Sequence, residues 1–226
     1  MGENIIELKN VSKKYSGSYV LSGLNLCVPK NSVTALIGPN GCGKTTLFKV
    51  ILGITDHQKG EIKRISNSKI GFMIDECRPY DRLSLYRNMK AVSIMSGMNA
   101  SKKMIDEIIS STFCTNIKNK PIRSLSAGQQ KKAAFAISLV NDPSVLILDE
   151  PLNSLDLKER IDIISALKYL NNSRDKTILV SSHDLDSLYE LCDNFCFIRD
   201  GRILMTKEKN ELNPDELSAL FLEIYK

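Results

Sequence analysis

Residues 38–46 carry the chemistry that the rest of the chain must position. They match the phosphate-binding pattern G-x-x-x-x-G-K-[ST]. The glycines lack a Cβ, so the backbone can wrap around an anion and turn its N–H groups toward phosphates. Lys44 can reach the β- and γ-phosphates, and the Thr45 hydroxyl can ligate Mg²⁺. The residues predicted to bind the nucleotide are Gly38, Pro39, Asn40, Gly41, Cys42, Gly43, Lys44, Thr45 and Thr46.

Two adjacent carboxylates form the second candidate group. Asp149 and Glu150 follow an apolar run at residues 145–148. Such a run is typical of a buried parallel strand, whose C-terminal end faces the ligand crevice of an α/β sheet. Asp149 is then placed to hold Mg²⁺, and Glu150 is placed to polarise a water for attack on the γ-phosphate. The alternative, a pair of surface acids, is disfavoured by the phosphate-binding loop.

Three further motifs follow one another along the chain. Residues 125–129 read Leu-Ser-Ala-Gly-Gln and resemble the LSGGQ signature of ABC ATPases. Residues 154–156, Ser-Leu-Asp, resemble the D-loop of that family, and His183 resembles its switch histidine. Tyr15 matches the aromatic A-loop position. The resemblance extends over nearly the whole chain, and the signature, D-loop and histidine in this order are specific to the family.

The resemblance implies a single ABC ATPase domain over residues 1–226, with an α/β fold. Residues 1–74 and 144–226 would form a P-loop NTPase core with a mostly parallel sheet and an N-terminal antiparallel β subdomain. Residues from about 75 to 143 show no strand pattern and would form an inserted helical subdomain. Within these parts, one helix is predicted over residues 127–141. Another is predicted with its apolar face at Ile161, Ile164, Leu167 and Leu170.

The resemblance also implies a function, the ATP-binding and ATP-hydrolysing subunit of an ABC membrane transporter. Two cassettes would sandwich two ATP molecules, and each site would draw on both chains. The expected catalytic residues are Glu150, His183 and Lys44. The expected Mg²⁺ ligands are Thr45, Asp149 and Asp75. Tyr15 would stack on adenine. The signature residues expected to act in trans are Ser126, Ala127, Gly128 and Gln129. The expected D-loop residues are Ser154, Leu155 and Asp156.

This chain departs from the family pattern at several positions. The segment that resembles the Q-loop has Asp75 where Gln is usual, and Glu76 is the alternative for that position. An ionised carboxylate can accept hydrogen bonds but cannot donate them, whereas the Gln side chain does both. An acidic residue here resembles the ATPases of bacitracin- and lantibiotic-type drug and peptide exporters. Ala127 replaces a Gly of the signature. Cys42 lies inside the phosphate-binding loop, and its alkylation is expected to block ATP binding sterically.

Composition limits the location and the partners of the protein. The chain has 226 residues, 42% of them hydrophobic, and a formal net charge of +5. This mild charge favours a mixed solvated surface and no nucleic-acid partner. The six cysteines lack C-x-x-C spacing and so indicate reduced thiols rather than a zinc site. The sequence shows neither a signal peptide nor the roughly 20 apolar residues that cross a bilayer. Together with the resemblance to ABC transporters, this implies a cytoplasmic protein, peripheral on the inner face of the cell membrane, that pairs with transmembrane permease subunits.

Several alternatives stay open. The chain could be a soluble ABC-type mechanochemical ATPase of DNA maintenance, a ribosome-associated ABC protein, or a regulator that binds ATP without hydrolysis. Export is favoured over import because the terminal helix resembles single-cassette exporters, and the second cassette could be an identical or a different chain. Arg78, Pro79, Tyr80 and Arg82 are candidates for contact with the permease, and a plain exposed basic loop is the alternative.

Overall fold

The computed structural model describes residues 3–65 and 68–226, and within them the chain forms two β-sheets and seven α-helices. The strands are β1 (Asn4–Tyr15), β2 (Ser18–Pro29), β3 (Val33–Ile37), β4 (Lys59–Arg64), β5 (Ile70–Met73), β6 (Val145–Asp149), β7 (Thr177–Ser181), β8 (Asn194–Arg199) and β9 (Arg202–Glu208). The helices are α1 (Lys44–Leu52), α2 (Leu85–Met95), α3 (Lys102–Ser111), α4 (Ala127–Ser138), α5 (Leu157–Arg174), α6 (Leu185–Leu191) and α7 (Pro214–Tyr225).

The larger sheet positions the candidate chemistry. Its strand order is β5-β6-β7-β3-β8-β9, and all neighbours are parallel except the β8–β9 pair. Every residue of β3, β6 and β7 is buried, as expected for strands covered on both faces. Because parallel strands end at the same edge, the phosphate-binding loop after β3 meets the ends of β6 and β7 there. In the β6–β7 register, Asp149 lies opposite Ser181.

The N-terminal sheet is antiparallel, with the order β2-β1-β4. Its buried side chains alternate along β2, at Leu24, Leu26 and Val28, because one face packs on the core and the other faces solvent. That face joins a core cluster that also contains the buried face of α1, with Phe48 and Ile51. The sheet therefore packs against the helix that begins at the phosphate-binding loop.

Between β5 and β6 the chain forms α2, α3 and α4, with a separate apolar cluster of their own. Leu85, Met89, Ile105 and Ile109 are among its buried members. Ser84 and Ser101 cap α2 and α3, each accepting a hydrogen bond from a backbone N–H of the first turn. Among the described residues, no helix has the length and apolar character needed to span a membrane.

Two details of the predicted helices are wrong. Helix α4 ends at Ser138 rather than at residue 141, before the turn that leads to Pro143. In α5, Ile161 is 54% exposed whereas Ile163 is 1% exposed. A constant spacing of three residues falls short of a full turn by about 60° per step. The predicted stripe from Ile161 to Leu170 therefore drifts around the helix, and its first member lies away from the core.

Candidate nucleotide-binding site

The phosphate-binding loop is tightly folded between β3 and α1. Gly43 has φ of 110°, in the left-handed region that favours glycine, and α1 begins at the next residue. The Lys44 side chain lies back along the loop, where its Nζ donates hydrogen bonds to Gly38 O at 2.7 Å and Pro39 O at 3.2 Å. The loop therefore holds its lysine within the concave side that a phosphate would occupy.

Asp149 is held by two hydroxyl groups from different parts of the chain. The Thr45 hydroxyl donates to Asp149 Oδ2 at 2.5 Å, and the Ser181 hydroxyl donates to Asp149 Oδ1 at 2.6 Å. Thr45 comes from the start of α1 and Ser181 from the end of β7. Both carboxylate oxygens are thus fixed at the edge of the sheet. Sequence reasoning found Thr45 and missed Ser181, for which the only signal is its place at the end of a buried strand.

The main chain at Glu150 has an unusual conformation. Its φ is 48°, which is uncommon for a residue with a Cβ. Three contacts hold this peptide: Glu150 N–H donates to Ser181 Oγ at 2.9 Å, Lys131 Nζ donates to Glu150 O at 2.6 Å, and Asn153 N–H donates to the same oxygen at 3.3 Å. The turn therefore directs the Glu150 side chain away from the path of β6.

The Glu150 carboxylate lies between a lysine and a histidine. Its Oε2 is 3.0 Å from His183 Nδ1, within hydrogen-bond distance, and its Oε1 is 3.9 Å from Lys44 Nζ. Among the described residues, buried Oε1 has no hydrogen-bond partner. The histidine side chain is 60% exposed, so its ring lies at the rim of the site. One carboxylate oxygen of Glu150 is thus held by contact with the histidine, whereas the other is buried on the side of Lys44 without a hydrogen bond from the described residues.

One cavity of about 350 Å³ joins most of these groups. It is lined by Val20, Asn40, Gly41, Gly43, Lys44, Thr45, Thr46, Asp75, Lys131, Asp149, Glu150 and Asn153. The structure thus brings the loop, both adjacent carboxylates and Asp75 together. Val20, Lys131 and Asn153 are additions that the sequence motifs did not indicate. Burial lowers the pKa of Lys131, and the charges of Asp75, Glu150 and Asp149 oppose that shift.

The geometry distinguishes Asp75 from Glu76. Asp75 lines the same cavity as Lys44 and Asp149. Glu76 instead pairs with Lys49 on α1, with Oε1 and Nζ 2.5 Å apart. Of the two acids that could take the Q-loop position, Asp75 is therefore the one that faces the candidate site.

The residues of the signature and D-loop lie outside the described lining of this cavity. Ser126 caps α4: its Oγ accepts a hydrogen bond from Gln129 N–H at 3.1 Å, and the Gln129 side chain accepts one from Ser126 N–H. A Cβ on Gly128 would collide with the Glu159 carboxylate. Asp156 caps α5 in the same way, through Glu159 N–H at 2.7 Å. Of the other signature and D-loop residues, Ala127 and Ser154 are exposed and Leu155 is buried.

Four predicted nucleotide contacts, Tyr15, Gly38, Pro39 and Cys42, also lie outside the described cavity lining. Tyr15 is 44% exposed at the end of β1, and Lys13 Nζ lies 4.9 Å from its ring centroid. Cys42 is buried in the core cluster beneath the loop. Burial raises the pKa of this thiol, an effect that the nearby Lys44 charge partly opposes. All six cysteines are free thiols in the structure.

The ligand set fits a hard cation better than zinc. The Thr45 hydroxyl and the Asp149 carboxylate provide adjacent oxygen atoms, which Mg²⁺ prefers, usually together with phosphate and water. Within residues 3–65 and 68–226, no cluster of three or more His, Cys, Asp and Glu side chains could hold a metal by itself. The protein thus offers part of a magnesium coordination sphere, which a nucleotide phosphate would complete.

Comparison with known proteins identifies the family. A family model described as ABC transporter matches residues 21–153. The lantibiotic transport ATP-binding protein SrtF of Streptococcus pyogenes is 37% identical over 227 residues, which cover 96% of each chain. The dimeric post-hydrolysis structure of the ATP-binding cassette MJ0796, bound to ADP and Pi, matches with a TM-score of 0.82 at 25% identity and covers 90% of this chain and 98% of that one. CbiO1 from Clostridium perfringens, part of the ABC transporter complex cbiONQ, matches with a TM-score of 0.79 at 28% identity and covers 98% and 95%.

These similarities span nearly the whole molecule and agree with the geometry of the site. The predicted α/β fold with a P-loop NTPase core is confirmed, and so is the prediction of an ATPase. The chain belongs to the ABC transporter family, as an ATP-binding and ATP-hydrolysing subunit of the kind that dimerises and works with transmembrane permease subunits.

Proposed function

We propose that this chain hydrolyses ATP with Mg²⁺ to power export of a drug- or peptide-like cargo. The observation that carries the chemical part is the single cavity shared by Lys44, Thr45, Asp149 and Glu150. The similarity to SrtF, named for lantibiotic transport, supports the direction and the cargo class. The protein would act in the cytoplasm, peripheral on the inner face of the cell membrane.

Within the cavity, each side chain has a role that its contacts support. Lys44 neutralises phosphate charge from inside the loop, where its Nζ already lies against two carbonyl oxygens. Thr45 and Asp149 would hold Mg²⁺, which supplies charge neutralisation for phosphoryl transfer. Glu150 acts as the general base toward the attacking water, since its side chain belongs to the cavity that Lys44, Thr45 and Asp149 also line. His183, within hydrogen-bond distance of Oε2, orients that carboxylate.

A second cassette would complete the site. We propose that Ser126, Ala127, Gly128 and Gln129 serve the nucleotide held by the partner chain, together with the D-loop residues Ser154, Leu155 and Asp156. The 12-residue helix α4 begins directly after Ser126, so its N-terminal N–H groups favour an anion. The partner would be an identical or a closely related chain. Tyr15 would stack on adenine, its exposed ring being available for this contact.

The permease would contact the groove between β5 and the helices that follow. This groove of about 390 Å³ is lined by Arg78, Pro79 and Tyr80 among others, and Arg82 is exposed nearby. The same helices carry the separate apolar cluster, which supports a helical subdomain over residues 75–143 within the single domain 1–226. Co-purification of a multi-span membrane protein from detergent-solubilised membranes would support this arrangement, and a soluble partner would contradict it.

Replacement of Glu150 by Gln tests the chemistry directly. The variant keeps the shape of the side chain but loses the base, so we expect hydrolysis to fall between about a hundredfold and ten-thousandfold. Binding of a fluorescent ATP analogue should persist, and the ATP-bound dimer should accumulate in size-exclusion chromatography. Glu190→Gln is the control, because Glu190 pairs with Lys168 on the surface. Unchanged hydrolysis by Glu150→Gln would eliminate Glu150 as the base.

A further inference from the structure

Lys131 connects α4 to the turn that carries Glu150. It lies on α4, two positions after the signature residue Gln129. Its Nζ donates a hydrogen bond of 2.6 Å to the Glu150 carbonyl oxygen, and the side chain lines the nucleotide cavity. A hydrogen bond from an ammonium group is shorter and stronger than one between neutral groups. This contact therefore joins two segments of the chain that no strand pairing connects.

The peptide that Lys131 contacts needs such support. A left-handed φ at a residue with a Cβ is strained and persists only where neighbouring contacts impose it. The Glu150 carbonyl receives the Lys131 ammonium and the weaker Asn153 N–H, at 2.6 and 3.3 Å. Loss of the ammonium leaves only the longer bond on that oxygen. The main chain could then relax, and with it the direction of the Glu150 side chain.

We propose that Lys131 is a positioning residue for ATP hydrolysis, which acts by holding the main chain of Glu150 in the conformation that aims its carboxylate. The proposal rests on the role of Glu150 as the general base. A displacement of a catalytic group by about 1 Å costs as much as a hundredfold in rate. Lys131 lies on α4, the helix that begins with the signature residues. In the proposed dimer, its contact therefore links Glu150 at one ATP site to the signature that serves the second ATP site.

Three variants separate this role from a structural one. Lys131→Met removes the ammonium and keeps most of the apolar stem, whereas Lys131→Arg keeps a cationic donor. Lys132→Met is the matched control, because Lys132 is the next residue of the same helix and forms its 2.6 Å ion pair with Asp162, away from the cavity. Steady-state ATPase kinetics, binding of a fluorescent ATP analogue and thermal unfolding are measured for each.

We expect Lys131→Met to lower kcat between about tenfold and a hundredfold, with the Kd for the ATP analogue changed less than twofold. Lys131→Arg should recover most of that loss. Lys132→Met should lower the unfolding temperature and leave kcat within twofold below that temperature. A kcat within twofold of wild type for a folded Lys131→Met protein would overturn the proposal. So would an equal loss in kcat and in nucleotide affinity.

A double variant tests whether Lys131 acts through Glu150. When two residues act as one unit, the second replacement costs little after the first. Lys131→Met should therefore cause no further loss in the Glu150→Gln background. An equal loss in both backgrounds would contradict the proposal while the assignment of Glu150 stands. If Glu150→Gln itself hydrolyses ATP normally, Glu150 is not the base, and the proposal for Lys131 fails together with that assignment.

Discussion

Replacement of Tyr225 by Phe removes a hydroxyl that supports the phosphate-binding loop from below. The Tyr225 hydroxyl lies between two carbonyl oxygens, 2.7 Å from Ile37 O and 3.0 Å from Ile198 O. Ile37 is the last residue of β3, directly before the loop. A Cβ on Gly38 would lie 2.5 Å from Ile198 O, so the start of the loop rests against the same carbonyl. Burial raises the pKa of the Tyr225 hydroxyl, which therefore remains a donor at neutral pH.

The size of the effect follows from these contacts. One phenolic proton is shared between two carbonyl acceptors, and its loss removes that hydrogen bond at a cost of about 1–2 kcal/mol in unfolding free energy. For a chain of this length that corresponds to a fall of roughly 2–8 °C in Tm. Since both carbonyls border the loop, we also expect the Kd for ATP to rise between about threefold and tenfold.

Tyr189→Phe provides the matched control. The Tyr189 hydroxyl donates to the Leu212 carbonyl at 3.0 Å, a bond of the same kind that lies away from the nucleotide cavity. This variant should lose about 1 kcal/mol of stability and keep its affinity for ATP. Urea unfolding and titration with a fluorescent ATP analogue measure the two quantities. If Tyr225→Phe loses stability with unchanged ATP affinity, the hydroxyl supports the fold alone and the reasoning about the loop is refuted.

Three further predictions concern the loop and the core. Lys44→Ala should abolish measurable ATP binding, and normal affinity would contradict the assignment of the phosphate-binding loop. Because burial raises the pKa of Cys42, maleimide should modify it more slowly than exposed Cys27 at pH 7 and faster as pH rises, as peptide mass mapping can show; once modified, the protein should no longer bind ATP. Ile163→Ala should cost about 2–5 kcal/mol in urea unfolding, and Ile161→Ala less than about 0.5 kcal/mol; the reverse order would contradict the observed face of α5.

Local patterns were sufficient for the elements that lead into the site. The largely apolar runs at residues 33–37 and 177–181 form buried strands, as predicted, because a strand covered on both faces takes apolar side chains at most of its positions. The Gly-rich loop between β3 and α1 is indicated by its own residues, because Gly43 supplies the positive φ that directly precedes α1. Asp149 and Glu150 lie beside the loop because β6 and β3 end at the same edge of a parallel sheet.

Contacts between distant segments could not be predicted in this way. Ser181 reaches Asp149 only through the register of β6 and β7, which the sequence does not state. Lys131 is adjacent to Lys132 on a helix, and nothing in their spacing indicates that one lines the nucleotide cavity while the other pairs with Asp162. The unusual φ of Glu150 is likewise a result of contacts around it, since the residue type alone disfavours it.

The acidic residue at the Q-loop position and the lysine after the signature are best understood together. Among the described residues that line the cavity, the acids are Asp75, Asp149 and Glu150 and the bases are Lys44 and Lys131. Carboxylates in one small cavity repel one another, and each ammonium placed among them lowers that repulsion. With Lys131 absent, three acids would face Lys44 alone. The charges of Asp75 and Lys131 therefore offset each other within the same cavity, so the acidic departure at position 75 lies close to a base that enters from α4.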